Sequence, residues 1–298
     1  MFQLKRDCFT ETDTNVAIRK GAENTMRLGI NATPPHTSAE EWANYLAERG
    51  CRATAFPLNF SAPVNRIDEY VKAAKERDIL IAEVGVWNSP HVPDKETATH
   101  ARMVAEEQLR LAEYVGARCC VNVSGAAGPD WAFCYKENFS EWLYDENVRF
   151  IQLLCDRVKP KKTRFTLEPM QWMVPASPQE YVKILKDVDR EGFAVHMDAI
   201  NFIKDPYTYT HKRELLDETF ALLGSQTRSC HLKDCILEPG TTVAIKEVPL
   251  GEGTMEIPYY LEKIAQLDDD MPVLLEHLPD MAAYDRAIDW LKRNDLWQ

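Results

Sequence analysis

Long apolar segments and paired cysteines are absent from this sequence, and basic side chains are in the minority. The longest apolar runs are no longer than β-strands, which excludes a transmembrane helix. The eight cysteines are scattered without a CxxC pair, as expected for a reduced cytosolic protein. The 47 acidic side chains outnumber the 35 basic ones, and the net charge of −12 argues against nucleic-acid binding. We therefore expect a cytoplasmic protein that binds neither nucleic acid nor membranes.

The composition is that of a globular protein large enough to bury a substantial core. Hydrophobic residues make up 45% of the 298 residues, and charged residues make up 28%. Acidic residues rather than an apolar stretch follow Met1–Arg6, so no ordinary secretory signal is expected. A chain of this length suits two average domains, but α/β barrels of similar length form one domain.

Eight short apolar runs alternate with longer amphipathic segments from residue 26 onward. The runs are continuously apolar, as in parallel strands that are buried on both faces. They are Arg27–Asn31, Arg52–Pro57, Ile79–Val86, Arg118–Val123, Arg164–Leu167, Phe193–Met197, Thr227–Leu232 and Met271–Leu275. The segments between them carry helix signals, such as Ser38 and Ser177, each followed three residues later by a glutamate in a capping-box pattern.

Eight strand–helix units in strict alternation predict an α/β fold, a single (β/α)8 TIM barrel. The competing fold is an open doubly wound sheet, but no glycine-rich turn follows the first strand to support it. We assign residues 26–298 to the barrel domain and residues 1–25 to a short N-terminal extension. Two long loops are predicted after strands: Cys235–Ile257, and Ser124–Leu143, which contains five large aromatic residues. Such loops lie on the catalytic face of a barrel, where this one could close over a substrate or merely pack against the barrel.

Four polar residues occur where the last four predicted barrel strands end. Glu168, Asp198, His231 and Glu276 are separated by 30, 33 and 45 residues, against roughly 30 residues for one barrel unit. Their side chains are therefore expected to converge at the barrel mouth. Three converging carboxylates repel one another unless a cation lies between them. Three oxygen donors with one imidazole suit Mn²⁺ and also Mg²⁺, Co²⁺ or Fe²⁺, so the sequence predicts a divalent-metal site.

Four motifs resemble those of the xylose-isomerase-like superfamily, and more closely its sugar phosphate isomerase/epimerase branch. The motifs are Leu167-Glu168-Pro169, Met197-Asp198-Ala199-Ile200-Asn201, His231-Leu232-Lys233-Asp234 and Gly251-Glu252-Gly253. The branch includes ketose 3-epimerases, inosose isomerases and inosose dehydratases. The resemblance implies that the four strand-end residues bind one divalent metal, commonly Mn²⁺. It also implies that Glu168 and Glu276 act as an acid/base pair on either face of the substrate.

The function implied by this resemblance is that of a metal-dependent sugar or polyol isomerase or epimerase, which removes the proton next to a carbonyl through a metal-stabilised enediolate. Ketose 3-epimerases often carry a histidine three residues after the metal-binding aspartate, where this sequence has Asn201. The Lys233-Asp234 pair is closer to the inosose enzymes. One alternative is a lyase or dehydratase acting on an oxidised sugar or glycoside, with a small β-sheet partner subunit in the lyase case. The other is a non-catalytic metal-containing barrel that binds a sugar.

Further side chains near the strand ends are candidates for binding a carbohydrate substrate. They are Lys233, Asn201, His196, Trp172, His91 and Trp131. We expect Asp234 to orient His231 from behind. We expect the side chain of His277 to point away from the mouth, because neighbouring strand residues face opposite ways and Glu276 faces inward. A homo-oligomer is also expected.

Overall fold

The computed structural model describes residues 26–238 and 240–297. Its strands are β1 (Arg27–Ile30), β2 (Ala53–Ala55), β3 (Leu80–Gly85), β4 (Cys119–Asn122), β5 (Phe165–Leu167), β6 (Phe193–Met197), β7 (Thr227–Leu232), β8 (Asp234–Glu238), β9 (Ala244–Val248) and β10 (Pro272–Leu275). Eight of them form a closed parallel barrel in the order β1-β10-β7-β6-β5-β4-β3-β2. The predicted TIM barrel is therefore confirmed. The N-terminal extension predicted for residues 1–25 lies outside the described residues.

The helices follow the strands as the sequence pattern predicted. They are α1 (Ala39–Glu48), α2 (Val64–Glu76), α3 (Lys95–Val115), α4 (Glu141–Val158), α5 (Pro178–Val188), α6 (Pro206–Thr210), α7 (Lys212–Leu223), α8 (Ile257–Ile264) and α9 (Met281–Arg293). The hydroxyls of Ser38 and Ser177 cap α1 and α5 by accepting backbone N–H groups. The carboxylates of Glu41 and Glu180 accept from the residue before each serine rather than from the serine itself. The two capping boxes are therefore only half formed.

The main hydrophobic core lies between the barrel strands and the surrounding helices. Helix α1 shows how the sequence builds it, because its buried residues recur at helical spacing. They are Ala39, Trp42, Ala43 and Leu46. The ring of Trp42 packs 5.3 Å from that of Tyr70 in α2, and both side chains are almost fully buried. None of the helices in the described ranges is long and apolar enough to cross a membrane.

The barrel wall is especially tight where β1 and β2 meet. A Cβ atom placed on Gly29 would lie 1.7 Å from the carbonyl oxygen of Ala53. Because real Cβ atoms do not approach backbone atoms so closely, only glycine fits at this position. The short side chains of Ala53 and Ala82 pack with Leu274 in a small separate cluster.

The connection after β7 differs from its predicted irregular form. Strands β8 and β9 pair antiparallel with each other in a separate two-stranded sheet. This hairpin begins immediately after the barrel strand and brings Glu247 of β9 back to Lys233 at the strand end. A feature predicted to be a loop thus supplies a charged side chain to the barrel mouth.

Candidate metal centre at the barrel mouth

The four residues predicted to bind a metal converge in the structure. Glu168, Asp198 and Glu276 each follow the last residue of a barrel strand, and His231 is the penultimate residue of β7. The His231 Nδ1 atom lies 2.9 Å from Glu276 Oε2, 3.5 Å from Glu168 Oε2 and 3.7 Å from Asp198 Oδ2. One potential ligand atom from each residue lies within 4.8 Å of all the others. Such a spacing suits a single cation.

The same four atoms make no well-formed hydrogen bond. Glu168 Oε2, Asp198 Oδ2, His231 Nδ1 and Glu276 Oε2 are all buried, and their close polar neighbours are one another and the Lys233 ammonium group. Buried polar atoms are normally satisfied, because an unpaired one costs roughly 1–3 kcal/mol. Four such atoms facing one point are the donor set that a divalent cation would require. The residues present therefore fit a metal ion.

The Lys233 ammonium group supplies a positive charge beside this acidic cluster. Its Nζ atom lies 2.6 Å from Asp198 Oδ2 and 2.9 Å from Glu276 Oε2. It also lies 3.2 Å from Glu247 Oε1 and 3.7 Å from Glu168 Oε1. A buried carboxylate group is costly without a compensating cation, so Lys233 helps to hold the cluster in its ionised form.

Two asparagine side chains hold the outer oxygens of the two glutamates. Asn201 Nδ2 donates to Glu168 Oε1 at 2.8 Å, and Asn31 Nδ2 donates to Glu276 Oε1 at 2.7 Å. The hydroxyl of Tyr284 donates to Asn31 Oδ1 and fixes that amide in turn. Each glutamate is thereby oriented with its Oε2 atom towards the shared centre. Asn201 thus hydrogen-bonds to a proposed metal ligand, and its predicted contact with substrate stays a prediction. Asn31 was missed in the sequence analysis.

The two glutamates differ in protonation. Burial and the negative charge of Glu276 raise the pKa of Glu168 to about 7. Burial also opposes ionisation of Glu276, but His231 and Lys233 outweigh it and hold the pKa of Glu276 well below its ordinary value. Against the same burial cost, Lys233 lowers the pKa of Asp198 to about 2. Near neutral pH one glutamate is therefore ready to hold a proton while the other is ionised.

A second buried group lies inside the barrel beneath these residues. Glu83 of β3 accepts a hydrogen bond from the Ser229 hydroxyl at 2.6 Å, and its other oxygen lies 3.3 Å from His231 Nε2. His196 Nδ1 lies 3.5 Å from Glu83, and the His196 and His231 rings are 4.1 Å apart. Burial alone would raise the pKa of Glu83, but the two imidazoles lower it overall. The sequence signal for Glu83, a charge within the apolar run Ile79–Val86, was overlooked.

The structure places His196 inside the barrel and His277 at its mouth. His196 was predicted to bind substrate, but its ring is fully buried in the barrel interior, and burial lowers its pKa to about 4. The prediction that His277 points away was wrong. Its Nδ1 atom lies 2.8 Å from Glu247 and 3.3 Å from Lys233, and it lines a cleft of about 180 Å³ beside Glu276. A φ angle of 55° at His277 turns its side chain back to the mouth.

The family is decided by comparison of the whole sequence with family models. The model for xylose isomerase-like TIM barrels matches residues 28–294. The chain belongs to this family. No curated protein matches it. The matched range covers all eight barrel strands except the first residue of β1, and it contains all four residues of the candidate centre.

Solved structures share the fold of this xylose isomerase-like barrel at low identity. One is a xylose isomerase-like TIM barrel protein from Mycobacterium smegmatis in complex with magnesium, 16% identical, with a TM-score of 0.64, over 90% of this chain and 94% of that one. A D-psicose 3-epimerase from Clostridium cellulolyticum H10 with D-tagatose is 15% identical, with a TM-score of 0.65, over 91% of this chain and 99% of that one. A probable 3-DHS dehydratase from Bacillus anthracis is 14% identical, with a TM-score of 0.67, over 90% of this chain and 98% of that one. At these identities the likeness shows the fold alone.

Asp234 has a different role in this xylose isomerase-like barrel from the one predicted. The expected contact with His231 was wrong, because the Asp234 carboxylate points into the hairpin connection instead. One oxygen accepts the backbone N–H groups of Gly251 and Gly253 at 3.0 Å, and the other accepts those of Cys235 and Met255 at 2.9 Å. A Cβ atom on Gly253 would lie 2.1 Å from this carboxylate. The Gly251-Glu252-Gly253 motif therefore wraps around Asp234.

The remaining substrate candidates lie around the connections after β3, β4 and β5. His91 Nε2 lies 3.0 Å from Asn147 of α4, and burial lowers the pKa of His91 to about 4. Its contacts thus lie on the helix side of the barrel. Trp172 Nε1 donates to the carbonyl of Ala132 and so ties the connection after β5 to the aromatic loop. Trp131 is 36% exposed in that loop. Substrate contact by Trp131 and Trp172 stays a prediction.

Proposed function

We propose that this protein is a divalent-metal-dependent isomerase or epimerase that acts on a sugar or polyol. Glu168, Asp198, His231 and Glu276 would hold the metal, with Mn²⁺ as the first candidate and Mg²⁺, Co²⁺ or Fe²⁺ as alternatives. The observation that carries the proposal is the set of four buried atoms, one from each residue, that face one point without a well-formed hydrogen bond. Membership of the family and an epimerase among the solved structures support it.

The reaction we propose is removal of a proton next to a substrate carbonyl and its return. A divalent metal bound at this site supplies Lewis-acid polarisation of the carbonyl and charge stabilisation. Glu168 or Glu276 takes the proton, and the other of the two returns one. Because the two glutamates come from β5 and β10, with β6 and β7 between them around the barrel, they can address different faces of the substrate.

The chemistry of the rim supports a hydroxylated substrate. Lys233 and His277 offer hydrogen-bond donors beside the cleft, and Glu247 offers an acceptor. The rest of the cleft of about 180 Å³ is lined largely by apolar side chains such as Leu250 and Leu278, as in other small-molecule sites, and the polar groups can bind the hydroxyls of a small substrate. We accordingly propose a carbohydrate substrate. Assembly into a homo-oligomer stays a prediction.

A metal-dependent lyase or dehydratase is the second candidate function. It would use the same proton removal, followed by loss of a group from the neighbouring carbon. A dehydratase among the structures of the same fold favours keeping this candidate. The small β-sheet partner subunit predicted for the lyase case remains part of it.

Solvent-exchange experiments separate these functions. The metal-loaded protein would be incubated in D₂O with a panel of ketoses and keto-inositols, and deuterium incorporation and products would be followed by NMR. Incorporation with an isomerised or epimerised sugar supports the proposal, whereas incorporation with an unsaturated product supports the lyase. Bound metal together with absence of exchange into every sugar of the panel would indicate the non-catalytic metal-containing barrel that binds a sugar.

The glutamate roles need matched variants. We expect Glu168→Gln and Glu276→Gln each to abolish exchange without unfolding the protein, because strand-end residues on this face serve chemistry rather than stability. Glu252→Gln is the control, because it removes one negative charge from an exposed turn outside the cluster. Near-normal exchange in either of the first two variants would contradict the acid/base assignment.

A further inference from the structure

Glu83 is a buried carboxylate that the proposed reaction leaves without a task. It lies in the middle of β3, only 2% of its surface is exposed, and it faces the interior of the barrel. Burying a carboxylate is expensive, and apolar residues of similar size usually stabilise a core at least as well. The presence of Glu83 therefore calls for a reason other than packing.

The contacts of Glu83 point to His231. Its Oε2 atom lies 3.3 Å from His231 Nε2, and its Oε1 atom accepts the Ser229 hydroxyl at 2.6 Å. The opposite nitrogen of the same imidazole, Nδ1, faces the oxygens of Glu168, Asp198 and Glu276. His231 thus lies between the carboxylate inside the barrel and the candidate metal centre at the mouth.

If Nδ1 of His231 binds the cation, the two ring nitrogens must differ in protonation. A ligand nitrogen presents its lone pair to the cation, so the proton of a neutral imidazole must be on Nε2. An acceptor placed at Nε2 favours this tautomer and fixes the plane of the ring. The Glu83 oxygen occupies that place. Its second hydrogen bond, from Ser229, holds the carboxylate in turn.

We propose that Glu83 is a positioning residue for the metal centre, which acts by holding His231 with its proton on Nε2 and its Nδ1 lone pair towards the cation. This inference rests on the proposed metal-binding function. The competing explanation is a separate cation held by Glu83, His196 and His231, whose potential ligand atoms also lie within 4.8 Å of one another. We favour the positioning role, because Nδ1 of the shared His231 faces the four-residue centre.

The first test compares metal affinity. Mn²⁺ would be titrated by calorimetry into metal-free wild-type protein, Glu83→Gln and Ser229→Ala. We expect Glu83→Gln to weaken Mn²⁺ binding by about 10- to 100-fold, as other changes to the partners of ligating histidines do. Ser229→Ala is the milder variant, because it removes the hydrogen bond that holds Glu83 but leaves the carboxylate beside His231, and we expect a smaller loss of Mn²⁺ affinity than in Glu83→Gln. Thermal unfolding would verify that both variants fold.

The second test reads the tautomer directly. Long-range ¹H–¹⁵N spectra of the Mg²⁺-loaded protein distinguish a proton on Nε2 from one on Nδ1. We expect the Nε2–H form of His231 in the wild type, with its Nε2–H proton shifted downfield by the carboxylate acceptor, and loss of that downfield shift in Glu83→Gln. A wild-type protein with its proton on Nδ1 would overturn the proposal even if Glu83→Gln did not fold.

The combined outcomes separate this inference from the proposed function. A wild type that binds no Mn²⁺ refutes the metal-binding function and the inference together. Mn²⁺ binding that is equally tight in Glu83→Gln, with an unchanged Nε2–H resonance of His231 in the Mg²⁺-loaded variant, refutes only the role of Glu83. If the wild type binds two Mn²⁺ ions and Glu83→Gln loses only the second, the positioning role is also overturned. Glu83 would then be a ligand of a separate cation site.

Discussion

Replacement of Asp234 by asparagine should release the hairpin connection next to the candidate metal centre. The carboxylate accepts four backbone N–H groups, two on each oxygen. An asparagine keeps the shape but replaces one oxygen with an amide nitrogen, which donates hydrogen bonds and accepts none. In either orientation of the amide, two backbone N–H groups face a donor and lose their acceptor.

The size of the effect follows from these contacts. Hydrogen bonds to a charged group contribute about 1.5–3 kcal/mol each, so loss of two predicts about 3–6 kcal/mol of local destabilisation. Because the affected segment is a connection outside the barrel, it can open without the barrel unfolding. We therefore expect the loss chiefly as local opening of residues 249–256, and a smaller change in the global free energy of unfolding.

Hydrogen–deuterium exchange measures this opening peptide by peptide. In Asp234→Asn, the peptides that cover residues 249–256 should exchange far faster than in the wild type, while the peptides from β5 and β6 should be unchanged. The exposed Glu252 lies in the same turn, so Glu252→Gln provides a control with the same change of charge. Equal exchange in Asp234→Asn and wild type across this segment would refute the account of Asp234.

Three further predictions address other parts of the barrel. Gly29→Ala should destabilise the protein by roughly 3 kcal/mol or more in urea unfolding, because its Cβ atom would meet Ala53, and wild-type stability would contradict the close approach. Lys233→Met should lower the free energy of unfolding of the metal-free protein by about 3–5 kcal/mol, because it leaves the buried carboxylates without their ammonium partner. In thermal melts, Mn²⁺ should restore part of this stability. Equal melting temperatures of the metal-free variant and the metal-free wild type would show that Lys233 does not balance the cluster. His91 is kept neutral by burial with a pKa of about 4, whereas the unfolded chain protonates near its ordinary value of 6.5. Folding stability should therefore fall as the pH drops from about 6.5 to 4, by up to roughly 3 kcal/mol, and His91→Gln should remove that part of the slope in denaturation curves.

The sequence alone determined the barrel and the four residues of the candidate centre. Continuous apolar runs separated by amphipathic segments specify parallel strands that alternate with helices. This pattern is local, so it can be recognised in the sequence without knowledge of long-range contacts. Since parallel strands end on the same face of a barrel, a polar residue at each strand end was enough to place Glu168, Asp198, His231 and Glu276 together.

The partners of those residues were decided only by the tertiary structure. Asn31 and Glu276 are 245 positions apart, and Glu83 and His231 are 148 apart, so no local pattern joins either pair. They meet because closing the barrel brings β1 next to β10 and lets β3 and β7 share the interior.

Backbone geometry beyond the strand ends was also outside the reach of a periodic pattern. The prediction for His277 assumed that strand alternation continues past Leu275, but β10 ends there and the φ of 55° two residues later reverses the side chain. The direction of the Asp234 side chain was likewise not predictable, because its carboxylate accepts from four N–H groups that only the folded connection brings together. Periodicity sets where strands end, whereas three-dimensional packing sets what each side chain touches afterwards.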